Sequence, residues 1–148
     1  GIRFKPLART LKGIDISPRM LSLASQRGIY DQLEENDILS AMVRHQDDYD
    51  IAVSADTFPY IGDLESIFVS VTSAIRDGGL FLFTVEKHDS DEDFKLNNTA
   101  RYSHSRTYIE DLARRRGLEM LSCIDTSYRK EAGKGVDGMM FALRKSYA

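Results

Sequence analysis

No stretch constrains this chain more than Lys12-Gly13-Ile14-Asp15-Ile16-Ser17-Pro18-Arg19-Met20-Leu21. Ile14 and Ile16, with Leu11 before them, supply the apolar run of a short buried strand that ends on a carboxylate. Ser17 is a good N-cap, because its hydroxyl accepts from the free amides of a first helical turn. Pro18 then takes the first helical position, where no amide is needed. A strand that passes this quickly into a helix predicts an α/β arrangement. It also places Asp15 at the carboxyl end of a strand, where open α/β sheets bind their ligands. A carboxylate there can accept hydrogen bonds from both vicinal hydroxyls of a ribose.

The rest of the chain follows the same alternation. Residues 1–10 read as the later part of a helix, with Ile2, Leu7 and Ala8 on one face and a kink at Pro6. Strand Leu11–Ile16 leads to helix Pro18–Arg27, with Met20, Leu21 and Ala24 inward and Gly28 as its stop. A weak strand at Leu33–Ile38 and a helical patch at Leu39–Val43 come next. Tyr49–Asp56 is a near-continuous apolar strand, the pattern of a strand covered on both faces of a parallel sheet. Asp63 caps a helix over Leu64–Arg76, whose Ile67, Phe68, Val71, Ala74 and Ile75 form one stripe. Asp77-Gly78-Gly79 breaks that helix before a strong buried strand, Leu80–Glu86. His88–Arg101 is acidic and aperiodic, and its length predicts a mobile lid, with Tyr102 and His104 facing an acceptor. Ser105 caps a helix through Arg116, which Gly117 ends. Strands Glu119–Tyr128 and Val136–Leu143 close the chain as an antiparallel hairpin around Gly133 and Gly135. The order predicts a single domain over residues 1–148, a doubly wound, Rossmann-like, mostly parallel sheet with an antiparallel C-terminal hairpin.

Charge and cysteine content narrow the partners. The net charge is −3 over 148 residues and there is no basic block, so no nucleic-acid partner is expected. Arg114-Arg115-Arg116 ends a predicted helix, where it complements the dipole. No apolar run approaches the ~20 residues of a membrane span, so no membrane partner is expected. The lone Cys123 excludes an internal disulfide and fits a reducing, cytoplasmic setting. No metal is expected.

Asp15, Asp37 and Asp56 all lie at or just past predicted strand ends, which a parallel sheet gathers at one edge. Asp15 suits a ribose, Asp37 an exocyclic amine such as that of adenine, and Asp56 an ammonium group. Met20 and Ile38 can sandwich a flat base. Together these residues suit an adenosine carrying an amino-acid tail. An aspartate after a strand is also a common turn former, so each alone says little.

On these residues the chain resembles the class I S-adenosylmethionine-dependent methyltransferases. Gly13-Ile14-Asp15-Ile16-Ser17-Pro18-Arg19-Met20-Leu21 is similar to their second-strand motif, Asn36-Asp37-Ile38 to the third, and Asp50–Tyr60 to the fourth. Arg76-Asp77-Gly78-Gly79-Leu80-Phe81 resembles their turn into the fifth strand. Gly28-Ile29-Tyr30-Asp31, Arg101-Tyr102-Ser103-His104-Ser105 and Arg129-Lys130-Glu131-Ala132-Gly133 look like an uncharacterised bacterial subgroup sometimes fused to tetratricopeptide repeats. The resemblance implies that Asp15 binds the ribose, flanked by Ile16 and Met20. It implies Asp37 at the adenine amine with Ile38 on the ring, and Ala55 and Asp56 near the methionyl end. Phe58 and Tyr60 would line the route to the acceptor.

Two departures qualify it. The family's first strand and glycine-rich loop should precede residues 1–10, and Gly1 alone can be that loop's last glycine; the chain is expected to be an N-terminally incomplete domain. Asp56-Thr57-Phe58-Pro59-Tyr60 is also not the Asp/Asn-Pro-Pro-Tyr motif of enzymes that methylate amino groups in nucleic acids. The expected function is S-adenosylmethionine-dependent methyl transfer to a small-molecule acceptor, with His104 and Tyr60 as candidate general bases. The alternatives are a nicotinamide-dependent oxidoreductase, in which Asp15 would hold the adenosine ribose, and a degenerate, non-catalytic module.

Overall fold

A computed structural model describes residues 1–131 and 134–147. Ala132 and Gly133, part of the expected hairpin turn and subgroup motif, lie outside the described residues. The chain divides into two compact units, Gly1–Arg44 and His45–Ala148.

The first unit opens on a single helical turn, Lys5–Leu7, in place of the expected longer helix. The correction has a physical cause: Ile2 and Leu7 are exposed, so no apolar face exists to stabilise more turns. Strand β1 (Lys12–Asp15) then passes through the Ser17 cap into helix α1 (Pro18–Gln26), and the Met20 amide donates to Ser17 Oγ at 3.3 Å. Strand β2 (Gln32–Glu35) pairs with β1 in parallel, Asp15 opposite Glu35. Asp37 caps helix α2 (Ile38–Met42). Met20, expected inside, is 51% exposed, and only Ala41 and Met42 are buried apolar residues among the described residues of this unit.

The second unit holds the main core. Strand β3 (Tyr49–Ser54) lies parallel to β4 (Ile75–Lys87), and a one-turn helix at Phe58–Tyr60 and helix α3 (Glu65–Ala74) connect them. The chain then forms a small antiparallel hairpin, β5 (Phe94–Leu96) and β6 (Tyr102–His104), and β6 joins β4 in parallel. Helix α4 (Arg106–Arg115) is capped by Ser105, as the sequence predicts. Strands β7 (Leu118–Glu131) and β8 (Lys134–Lys145) close the chain as an antiparallel pair, with β8 against β4. The strands form two separate sheets, β1-β2 and a six-stranded one in which β4 is flanked by β3 and β8. Parallel pairings cover the strands that alternate with helices, and antiparallel ones the two hairpins and the β4–β8 seam.

One face of the larger sheet is sealed by aromatic packing. Phe68 of α3 meets Phe81 and Phe83 edge-on, Phe58 lies against the same two rings, and Phe83 stacks on Phe141. The other face is open at β3, where Ile51 and Val53 are 41% and 48% exposed, contrary to the expectation of a strand covered on both faces. Strand β4 starts five residues earlier than predicted, because Arg76-Asp77-Gly78-Gly79 forms an irregularity within it rather than a separate loop. Gly78 has φ +74°, and a Cβ on Gly79 would lie 2.7 Å from the Arg76 carbonyl oxygen. Only glycines permit that close backbone approach.

Candidate functional site

In the first unit, Asp15 ends β1. Its Oδ1 accepts from the Ser17 amide at 2.8 Å, which fixes the carboxylate at the start of α1. Asp37 stands two residues beyond β2, where Oδ1 accepts from the Ser40 amide at 2.9 Å. Hydrogen bonds from Ser40, side chain first and then amide, hold the Asp37 carboxyl below its ordinary range. Because β1 and β2 are parallel, both carboxylates occupy one edge, the carboxyl edge. Ile16 and Met20 expose their side chains beside Asp15, and Ile38 is half-buried after Asp37. These groups fit an adenosine: a fixed carboxylate to accept from a diol, a second to accept from an amine, and apolar side chains for a ring. A hollow of about 220 Å³ runs along α1, with Gly13, Asp15, Met20, Ala24 and Tyr30 in its wall. Gly1 sits close to the Tyr30 ring, and its carbonyl accepts from the amides of Phe4 and Lys5.

In the second unit, β3 ends at Ser54 and the chain turns sharply. Asp56 has φ +58°, a left-handed conformation that aspartate tolerates better than most residues. The Asp56 amide donates to Thr84 Oγ1 on β4 at 3.1 Å, tying the turn to the neighbouring strand. Ala55 and Asp56 are exposed. The buried Ser54 hydroxyl has no hydrogen-bond partner among the described residues, an orphaned polar atom beside the expected methionyl end. Tyr60, 62% exposed, lies under the guanidinium of Arg101, whose Cζ is 5.6 Å from the ring centroid. Phe58, expected on the acceptor route, is instead fully buried among the core aromatics.

His104 is also corrected. Its side chain is buried, and Nε2 donates to the carbonyls of Ile61 (3.0 Å) and Gly62 (2.9 Å). Because both partners are pure acceptors, Nε2 carries the proton. Burial lowers the pKa of the ring despite those bonds. His104 therefore bolts β6 onto the segment after β3, and it does not face an acceptor.

The segment expected as a lid carries a short strand. His88–Arg101 contains β5, and a Cβ on Gly62 would come within 2.8 Å of Tyr102 and 3.0 Å of Phe94, so the hairpin rests directly on residues 61–62. Tyr108 supports the same corner: its hydroxyl donates to Asp63 Oδ1 and accepts from the Leu64 amide, both at 2.8 Å. Asp63, the expected helix cap, also accepts from the Glu65 amide at 2.9 Å. Asp63 is held below its ordinary range first by that amide and then by Tyr108, whose own pKa burial pushes up.

Reading the residues singly missed a polar group at the end of β4. Glu86 is 6% exposed, the only buried carboxylate among the described residues, and it stands in register with Ser103 of β6 and Gly138 of β8. Ser103 Oγ lies 2.9 Å from His88 Nδ1, and His88 Nε2 lies 2.8 Å from the Glu92 carbonyl oxygen. Nε2 therefore donates, and Nδ1 accepts from the serine. A glutamate closing an otherwise apolar strand was the available signal. A second hollow, about 340 Å³, opens beside Lys87, Asp125, Thr126, Ser127, Asp137 and Gly138. The Asp125 hydrogen bond at 3.3 Å raises the Lys87 pKa. No group of side chains among the described residues is arranged to hold a metal ion. No described helix is long and apolar enough to cross a membrane.

A model of the methyltransferase domain family matches residues 1–83. No curated protein matches the chain. A solved S-adenosylmethionine-dependent methyltransferase from Methanosarcina mazei aligns over 99% of this chain and 87% of its own, with TM-score 0.78 and 13% identity. The N-methyltransferase NodS from Bradyrhizobium japonicum WM9, solved with S-adenosyl-L-homocysteine, aligns over 97% and 71%, with TM-score 0.70 and 19% identity. The [4+2]-cyclase SpnF aligns over 99% and 70%, with TM-score 0.77 and 14% identity. At such identities the likeness establishes the fold.

Proposed function

Because this chain belongs to the methyltransferase domain family, we propose that it transfers a methyl group from S-adenosylmethionine to a small-molecule acceptor. The observation that carries the reading is the placement of Asp15 and Asp37 on one carboxyl edge, each fixed by a helix's first turn. Asp15 takes the ribose hydroxyls between Ile16 and Met20, while Asp37 takes the adenine amine with Ile38 on the ring. Gly1, as the last glycine of the family's loop, serves the methionyl part of the cofactor. In the second unit Ala55 and Asp56 serve the methionyl end, and Tyr60 stands on the acceptor side. The likeness over 99% of the chain supports treating both units as one methyltransferase-like domain.

S-adenosylmethionine supplies a methyl group already activated on a sulfonium, so the protein's part is to position two molecules and exclude water. The net charge of −3 without a basic block, and Asp56-Thr57-Phe58-Pro59-Tyr60 in place of an Asp/Asn-Pro-Pro-Tyr run, favour a small acceptor over a nucleic acid. A cytoplasmic location fits a cofactor made inside cells and the lone cysteine.

Calorimetric titration with S-adenosyl-L-homocysteine tests the assignment. Asp15→Ala removes charge-assisted hydrogen bonds, each worth roughly 1.5–3 kcal/mol. The expected loss of affinity is therefore about ten- to a hundredfold. Unchanged affinity would remove Asp15 from the site, and binding of a nicotinamide dinucleotide instead would favour the oxidoreductase reading.

A further inference from the structure

We propose that the hollow along α1 is a second ligand site, which takes a small apolar monocarboxylate with its charge on Arg27 and its body against the helix. The proposal does not depend on the methyl-transfer reading. The hollow has two walls. One is the stripe Met20, Leu23, Ala24 and Arg27, whose spacing of three, four and seven residues from Met20 puts all four on one side of α1. The other is the face of the β1-β2 pair that carries Gly13, Asp15 and Leu33. Gly13 and Asp15 alternate onto one side of β1, and Leu33 is the register partner of Gly13. Tyr30 closes the space. A Cβ on Gly13 would lie 3.1 Å from two carbons of the Tyr30 ring, so the ring rests directly on the strand.

The walls select the ligand by charge, polarity and size. Lys5, Lys12 and Arg44 of the same unit are paired with Asp31 and Glu34, whereas the Arg27 side chain has no hydrogen bond or ion pair among the described residues. Its guanidinium matches a carboxylate in geometry and sign. Seven residues of helix separate Met20 from Arg27, about 10 Å at 1.5 Å per residue. Asp15, bonded to the Ser17 amide where α1 begins, therefore stands at the opposite end of the hollow from Arg27. A second anionic group on the ligand would face Asp15, which selects against dicarboxylates and phosphate dianions. Between the charges lie Met20 and Leu23, 51% and 46% exposed, whose apolar surface an apolar ligand body would remove from water. The volume of about 220 Å³ limits that body to one ring or a short chain, since sites for drug-sized ligands span about 300–1,000 Å³. The hollow shares Asp15 and Met20 with the carboxyl edge and leads away from it to Arg27.

The test uses the full chain and three matched probes: benzoate, its neutral isostere benzamide, and the dianion terephthalate. In a titration followed by amide NMR, benzoate should move the resonances of residues 20–27 and Tyr30 and saturate in the millimolar range. Benzamide and terephthalate should bind about tenfold more weakly or worse. Arg27→Gln should weaken benzoate about tenfold and leave benzamide unchanged, and Arg27→Lys, which keeps the charge, should recover part of the loss. Ala24→Leu, which fills the hollow, should weaken benzoate and benzamide alike. Thermal melting of each variant separates misfolding from a lost site. Titration with S-adenosyl-L-homocysteine runs in parallel: if wild type does not bind it, the methyl-transfer reading fails while the benzoate result still decides this proposal. Equal binding of benzoate and benzamide overturns the proposal. So does an Arg27→Gln affinity for benzoate within about threefold of wild type, or resonance changes confined to residues outside 13–33.

Discussion

At the scale of single residues, His104 shows how an ionisable side chain can be structural. Its Nε2–H joins β6 to the carbonyls of Ile61 and Gly62, while Nδ1 is buried with no hydrogen-bond partner among the described residues. Protonating Nδ1 would place an imidazolium in that pocket. The folded pKa is therefore below the unfolded value near 6.5, chiefly through burial, with the nearby His88 adding a little. The folded chain then binds fewer protons than the unfolded one, so stability from this site is fully present above about pH 6.5 and declines as pH falls below it. Thermal midpoints of wild type should drop between pH 7.5 and pH 5, and His104→Gln should show a shallower drop. Parallel slopes would mean that other groups cause the dependence. Sequence alone offered His104 as a base because a lone histidine looks the same whether it faces a ligand or a carbonyl.

At the scale of elements, capping chemistry was legible and packing was not. Ser17, Pro18, Ser105 and Gly117 mark helix ends through local rules, and α1 and α4 begin and end within a residue or two of expectation. The hairpin β5-β6 escaped notice because its strands are three residues long, and such short pairs have no periodicity to detect. The contact of Phe94 and Tyr102 with Gly62 helps to hold it, beside the β4–β6 pairing and the His104 bonds to Ile61 and Gly62. Gly62→Ala would push a methyl against both rings, and overpacking of this kind costs about 1–3 kcal/mol. Urea denaturation should show that loss, with amides 94–96 and 102–104 exchanging faster than in wild type. An unchanged midpoint would mean that the hairpin is held elsewhere.

At the scale of the whole molecule, buried apolar surface is unevenly shared. Five phenylalanines close the larger sheet, whereas the first unit buries only Ala41 and Met42. Hydrophobic burial is the main stabilising term, so local opening should follow that division. In hydrogen exchange, β4 and β8 should be the slowest segments and β1 and β2 far faster; equal protection would contradict this. The doubly wound order and the terminal hairpin were legible from strands alternating with helices and from the glycines near the last turn. The separation into two sheets and the exposed side chains of β3 were not, since an apolar run looks the same whether or not another layer covers it.

Strand β6 adds an evolutionary constraint. Three residues long, it turns Ser103 toward His88 on one side and His104 toward Gly62 on the other. Side chains alternate with a period of two, so a slip by one residue would exchange the two roles at once. The loop at 97–101 can therefore gain or lose residues only if the parity of β6 is kept. Drift in this hairpin is free in length and fixed in phase.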